Sequence, residues 1–180
     1  MVAEHTENPE FPRPVDLARI GDAGTRLEIE ANAAERAALA KRFGVPSIDS
    51  LRADVELRRI RGGAAVKLAG QLTAEVTQSC VVTLEPVRQH VEEAFEILYS
   101  DDVTHEQSVI GAVSDIAWPE PLPEGPLDVG EAVAEQLSLA LDPYPRAPGV
   151  TLEPQWTEGG KAAKPFAALG KLKKPSKSSG

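Results

Sequence analysis

Aromatic residues make up only 4% of the 180-residue chain, and cysteine occurs once, at Cys80. So few rings leave aliphatic side chains to fill any core. A lone cysteine excludes an internal disulfide and fits a reducing compartment. No apolar run approaches the roughly 20 residues that a membrane-spanning helix needs. The acidic start Met1-Val2-Ala3-Glu4-His5-Thr6-Glu7 lacks the basic-then-apolar order of a secretory signal. A soluble, cytoplasmic protein without membrane contact is the expectation. Histidine is scarce too: His5, His90 and His105 are scattered, and with one cysteine they do not supply the roughly four ligands of a zinc site. No Walker-type phosphate loop is present, because Arg61-Gly62-Gly63 is too short and follows a strand without opening a helix. Neither a cofactor nor a small-molecule substrate is expected.

What is there reads as a globular domain with tails. The apolar share of 42% and charged share of 26% are ordinary for a chain with a core. The formal net charge is -9, but residues 161–180 hold six lysines and no acid, so residues 1–160 carry -15. A body of that charge repels phosphates at long range. The lysine-rich end is either a solvated tail or an arm for an anionic partner.

Three regions follow from the pattern: a loose N-terminus over 1–12, a folded domain over 13–150 and a tail over 151–180. Pro14–Ile20 and Thr25–Glu30 suit two short strands around the turn composition Gly21-Asp22-Ala23-Gly24. Asn32-Ala33-Ala34-Glu35 reads as a capping box opening a helix that stops at Gly44, with Ala33, Ala37, Leu39, Ala40 and Phe43 inward. Leu51, Ala53, Val55 and Leu57 alternate with charged residues, the period of a strand with one wet face. Gly62-Gly63 turns it into a second strand carrying Val66, Leu68, Leu72, Ala74 and Val76 inward. Gly70 on that face marks a bulge or close packing. After Leu84-Glu85-Pro86 a third strand carries Val91, Phe95, Ile97 and Tyr99. Residues 101–127, acidic and proline-rich, are expected to be an extended connection or surface loop. Asp128-Val129-Gly130-Glu131, with Leu127 as staple, opens a second helix whose inward face is Val129, Val133, Leu137, Ala140 and Leu141, ended by Pro143 and Pro145. The expected fold is α+β: a curled antiparallel sheet, partly closed like a barrel, with two main helices and a flexible basic C-terminal tail.

Candidate chemistry is sparse. Cys80 is the one potential nucleophile, with His90 and His105 as potential bases, but catalysis also needs an orienting group and an oxyanion site. Its parity with Val66, Leu68, Leu72 and Val76 points it inward, where a free cysteine behaves as a small hydrophobe. Asp101-Asp102 and Glu92-Glu93 fall on wet faces or loops. Arg52, Arg58, Arg59, Arg61 and Lys67 crowd the first hairpin. They either grip phosphates or pair across strands with Glu75 and neighbouring acids. In the tail, Phe166, Leu169 and Leu172 share one face of a short helical repeat among lysines that include Lys171 and Lys173. This island either docks on its own domain or enters a partner's groove.

Three segments carry a resemblance. Cys80-Val81-Val82-Thr83-Leu84-Glu85-Pro86-Val87 is similar to the pattern Cys-x-x-Cys-Leu-x-Pro-Val of the YceD-like family, the large ribosomal RNA subunit accumulation proteins. The run from Asp128-Val129-Gly130-Glu131 through Glu135-Gln136-Leu137 to Asp142-Pro143-Tyr144-Pro145 resembles that family's second signature. Lys164-Pro165-Phe166-Ala167-Ala168-Leu169-Gly170-Lys171-Leu172-Lys173 resembles its ending Asn-Pro-Phe-x-x-Leu-x-x-Leu-Lys. Thr83 replaces the second cysteine, so no metal or redox role of a Cys-x-x-Cys pair carries over, and Lys164 replaces the asparagine. The resemblance assigns Cys80, Leu84, Glu85, Pro86, Asp128, Glu135 and Pro143 to structural motif positions. It implies a bacterial ribosome-biogenesis factor that supports 23S rRNA accumulation and large-subunit assembly by binding. Its partner would be the large-subunit precursor, through 23S rRNA, a ribosomal protein or both. An acidic escort of a basic ribosomal protein is the alternative, and a thiol-dependent enzyme the second.

Overall fold

A computed structural model describes residues 9–21, 23–100 and 119–150. Its main sheet has the order β2 (Thr25–Glu30), β3 (Ser47–Ile60), β4 (Ala65–Ser79), β5 (Pro86–Ser100), each pair antiparallel. The period-2 alternation sets its two faces. Leu51, Ala53, Val55 and Leu57 of β3 register with Ala74, Leu72, Gly70 and Leu68 of β4, and Gly70 with Phe95 of β5. All of these except Gly70 are buried. Gly70 makes the close approach possible, since a Cβ there would lie 2.7 Å from the Asp54 carbonyl oxygen and 3.0 Å from the Phe95 ring. The bulge lies elsewhere in the sheet, between Ile48 and Ser50.

Helices α1 (Ala33–Phe43) and α2 (Val129–Ala140) join the sheet's inner face in one core cluster. Asn32 caps α1 by accepting from the amides of Ala34 and Glu35, while Glu35 returns a carboxylate to the Asn32 amide at 2.7 Å. Gly44 ends the helix with φ 66°, a left-handed conformation that glycine adopts without strain. Leu39 and Ala40 are buried and Phe43 packs against the core, but Ala33 and Ala37, expected inward, are exposed along a groove beside Val45 and Ile48. The helix meets the core through Leu39, Ala40 and Phe43, which leaves the Ala33–Ala37 edge of its apolar stripe open to solvent.

Asp128 caps α2, accepting from Gly130 at 3.0 Å and Glu131 at 3.2 Å, and it also takes the Arg13 amide at 2.8 Å. Glu131 does not return to the Asp128 amide as the Glu of a capping box would; it pairs with Arg42 at 2.6 Å. Val129, Val133 and Leu137 are buried as expected, and Ala132 and Ala134 join them.

Three expectations need correction. The sheet does not close: β2 and β5 are its edges, and four strands are fewer than the roughly eight of small closed barrels. Pro14–Ile20 is not one strand. β1 (Pro14–Val15) pairs with β6 (Leu127–Asp128), and Asp16 then caps a single 3-10 turn by accepting from the Ala18 amide. Finally, Phe11, placed in a loose N-terminus, is fully buried, with the Arg13 guanidinium 4.3 Å above its ring. Of the connection at 101–127, residues 101–118 lie outside the described part. Glu120 binds the end of β5, donating to Leu98 at 2.7 Å and accepting from Ser100 at 2.8 Å.

Candidate functional site

Strand β4 runs out into a tight corner. The Cys80 amide donates to the Glu85 carbonyl at 2.8 Å, and the Leu84 amide to the Cys80 carbonyl at 2.9 Å. The turn is closed through Leu84 at φ 63°, which is the one non-glycine residue at positive φ among those described. Inside it, the Cys80 sulfur accepts from the amides of Val82 at 3.5 Å and Thr83 at 3.4 Å. A third amide, from Ala147 at 3.4 Å, comes from the loop that follows α2.

That loop is tied down at further points. The Val81 amide donates to the Pro145 carbonyl at 2.8 Å, Gln78 Nε2 to the Asp142 carbonyl at 2.9 Å, and the Asp142 amide to Gln89 Oε1 at 3.5 Å. Two motif segments far apart in sequence are thereby brought into one corner. Gln78 is buried, yet its Oε1 has no hydrogen-bond partner.

The fully buried Cys80 thiol is lowered from 9.0 to about 6, first by a hydrogen bond to the Thr83 side chain and then by the amides of Ala147, Thr83 and Val82, with burial opposing. Hydrogen bonds to the charged form favour it. The surroundings do not complete a catalytic set. His90 lies on the opposite face of the sheet, its Nδ1 2.6 Å from Glu75 Oε1 across the β4–β5 pair, while His5 and His105 lie outside the described residues. Among the described residues no three metal-binding side chains converge.

The corner presents four exposed apolar side chains among the exposed polar residues Thr83, Glu85, Asp142 and Arg146. Leu84 is 79% exposed and Tyr144 70%, and Val81 and Val82 are also open to solvent. Glu85 is exposed with Oε2 3.4 Å from the Thr83 hydroxyl, and Pro86 and Pro143 are exposed at the margins. Glu135, on α2, has its carboxyl pushed up by partial burial and by the charges of Glu131 and Glu120. Val81, Val82 and Tyr144 lie in the two motif segments and Gln78 just before the first, but no local pattern shows that they meet, because their meeting depends on contacts between segments.

The basic hairpin is distributed differently. Arg52 faces Glu30 at 3.3 Å, Arg58 faces Glu56 at 2.8 Å, and Lys67 faces Glu96 at 2.6 Å. Arg59 points to the inner side and donates to the carbonyls of Leu17 at 2.6 Å and Gly63 at 3.2 Å. Arg61 belongs to the short connection into β4. Along the outer face, the cations Arg26, Arg52, Arg58, Lys67 and Arg88 alternate with the more numerous acids Glu28, Glu30, Asp54, Glu56, Glu75, Glu92 and Glu96. Glu28 and Asp54 stand directly opposite each other. Phe166, Leu169, Lys171 and Lys173 lie outside the described residues.

Residues 68–173 match the family model described as large ribosomal RNA subunit accumulation protein YceD. The chain belongs to this family. No curated protein and no protein of solved structure matches it. The YceD match begins in β4 and takes in β5, α2 and both segments of the corner. Membership links the chain to ribosome biogenesis and to accumulation of the large-subunit rRNA. Among the described residues no helix is long and apolar enough to cross a membrane.

Proposed function

We propose that this YceD protein supports 23S rRNA accumulation and large-subunit assembly by binding, and that its contact with the precursor particle is made chiefly to protein. The observation that carries this reading is the placement of the hairpin cations. Arg52, Arg58 and Lys67 each face a carboxylate, so contact with a phosphate would require breaking an existing pair. The outer face around them is acidic on balance, which opposes RNA at long range and favours a basic ribosomal protein.

The test is co-sedimentation of the tagged full chain with large-subunit precursors across a salt series. Association with a shallow salt dependence is expected, because each released phosphate contact would add nearly one unit to the log–log slope. No association at any salt, with normal 23S rRNA in a deletion strain, would sink the proposal. A steep slope would instead favour direct RNA contact by Arg52, Arg58, Arg61, Lys67 and the tail lysines Lys171 and Lys173.

One observation favours a second reading, a thiol-dependent enzyme: the depressed Cys80 pKa of about 6. Against it stand full burial of the sulfur and the separation of His90 onto the other face. Cys80→Ala restoring normal 23S rRNA to a deletion strain, at some loss of stability, would exclude the enzyme reading.

A further inference from the structure

We propose that the corner formed by residues 80–85 and 142–147 is a docking surface for an apolar side chain carried on a lysine- or arginine-rich protein segment. The inference rests on the reading above, in which the chain acts by binding protein, and it adds which surface binds and what kind of segment it takes.

Two features of Leu84 oppose its own fold. Its backbone sits at φ 63°, where a Cβ crowds the following carbonyl and glycine or asparagine is the usual occupant. Its side chain is also 79% exposed, so no burial offsets that strain. A leucine at such a tip contributes nothing that glycine would not supply better, unless something outside the domain covers it. Strained backbone of this kind is characteristic of ligand clamps.

The neighbours of Leu84 extend the same argument. Val81, Val82 and Tyr144 are exposed at the corner although they come from two separate segments. Their backbones are fixed relative to one another by the bonds from Val81 to Pro145 and from Ala147 to Cys80 Sγ. An apolar surface held this way is organised before any partner arrives, which lowers the entropic cost of binding.

Charge selects among partners. Residues 1–160 carry -15, and the outer sheet face as a whole is acidic on balance, so the long-range field draws cations. That field opposes both a nucleic acid and a second copy of the same domain. Immediate cations are few: Arg88 lies 3.6 Å from Asp49, and Arg146 is exposed. An aromatic platform for bases is likewise confined to Tyr144 among the corner residues. A basic protein segment with one apolar anchor satisfies both the field and the surface.

Leu84→Gly separates binding from folding, since it removes the anchor contact while relieving the backbone. The full chain, its Leu84→Gly variant and a Tyr144→Ala variant are immobilised. Each is offered the RNA-free protein fraction extracted from large ribosomal subunits and, in parallel, protein-free 23S rRNA. The wild type is expected to retain basic protein, and both variants to retain about thirtyfold less, the scale of an interface hot spot. The thermal midpoint of Leu84→Gly should stay equal or rise. Equal retention by wild type and Leu84→Gly overturns the corner while leaving the assembly reading intact. Retention of rRNA alone also overturns it. If the wild type retains nothing and fails to co-sediment with precursors, the corner and the reading fall together.

Discussion

At Cys80 a single sulfur holds two loops together, accepting amides from both. The Thr83 side chain is the largest influence lowering the thiol to about 6, ahead of the amides of Ala147, Thr83 and Val82. Thr83→Val should therefore move the midpoint back up toward the ordinary thiol, read as thiolate absorbance near 240 nm in a pH titration of the only cysteine. An unchanged midpoint would show that the amides alone set it. The sign of the linkage follows. A folded pKa below the unfolded one makes the folded thiolate stabilising, so stability should climb between about pH 6 and 9 and lose this contribution as pH falls through 6. Thermal unfolding of Cys80→Ala should lack that rise. In the family's Cys-x-x-Cys-Leu-x-Pro-Val pattern a second sulfur would stand at position 83. Here a threonine stands there, its amide 3.4 Å from the Cys80 sulfur and its hydroxyl 3.4 Å from Glu85 Oε2.

Among the strands, the tightest constraint falls on Gly70, at the centre of the β3–β4–β5 registers. A methyl there would meet the Asp54 carbonyl at 2.7 Å and Val55 Cγ1 at 2.8 Å, and the carbonyl belongs to a paired strand that cannot withdraw. Gly70→Ala should destabilise by about 1–3 kcal/mol, the usual range for overpacking, measured as a lower denaturant midpoint with the slope preserved. The position of Gly70 on the inner face was legible in the sequence, as were the Asn32 and Gly44 ends of α1 and the phase of the long strands. Each is set by residues a few places apart. Arg59 was legible in principle as well. It shares the parity of Leu51 to Leu57, which separates it from Arg52 and Arg58, but reading the arginines as one cluster hid this. The open sheet, the burial of Phe11, the diversion of Glu131 to Arg42 and the meeting of Cys80 with Ala147 were not legible. They depend on contacts between distant segments that no local pattern encodes. Gly130 belongs with these: a Cβ there would overlap the Phe11 carbonyl, so the N-terminal segment can cross α2 only at a glycine.

Across the whole domain, two arginines gather the pieces that the sheet does not reach. Arg13 donates to both oxygens of Glu35 at 2.9 and 3.0 Å, and to the Glu30 carbonyl at 2.8 Å, while its own amide and carbonyl bind the start of α2. Arg42 meets Glu131 through two bonds and Glu10 at 2.9 Å. The N-terminal segment, α1 and α2 are joined through these carboxylates, so acid should release them before it disturbs the main sheet. The Glu35 carboxyl is held below its ordinary 4.5, first by the Arg13 guanidinium, with burial opposing. Such a group contributes its full stabilisation above about pH 4.5 and loses it as pH falls through the lower folded value. Hydrogen exchange measured downward from pH 5 should show the amides of Phe11, Arg13 and the first turn of α2 losing protection before those of β4. In Arg13→Ala the same amides should already be less protected at pH 7 and should change little on acidification, because the Glu35 pKa then lies closer to its unfolded value. Simultaneous loss of protection in β4 and around Arg13 would mean that these carboxylates do not govern the acid response. The stability of the domain would then depend on the sheet and its core alone.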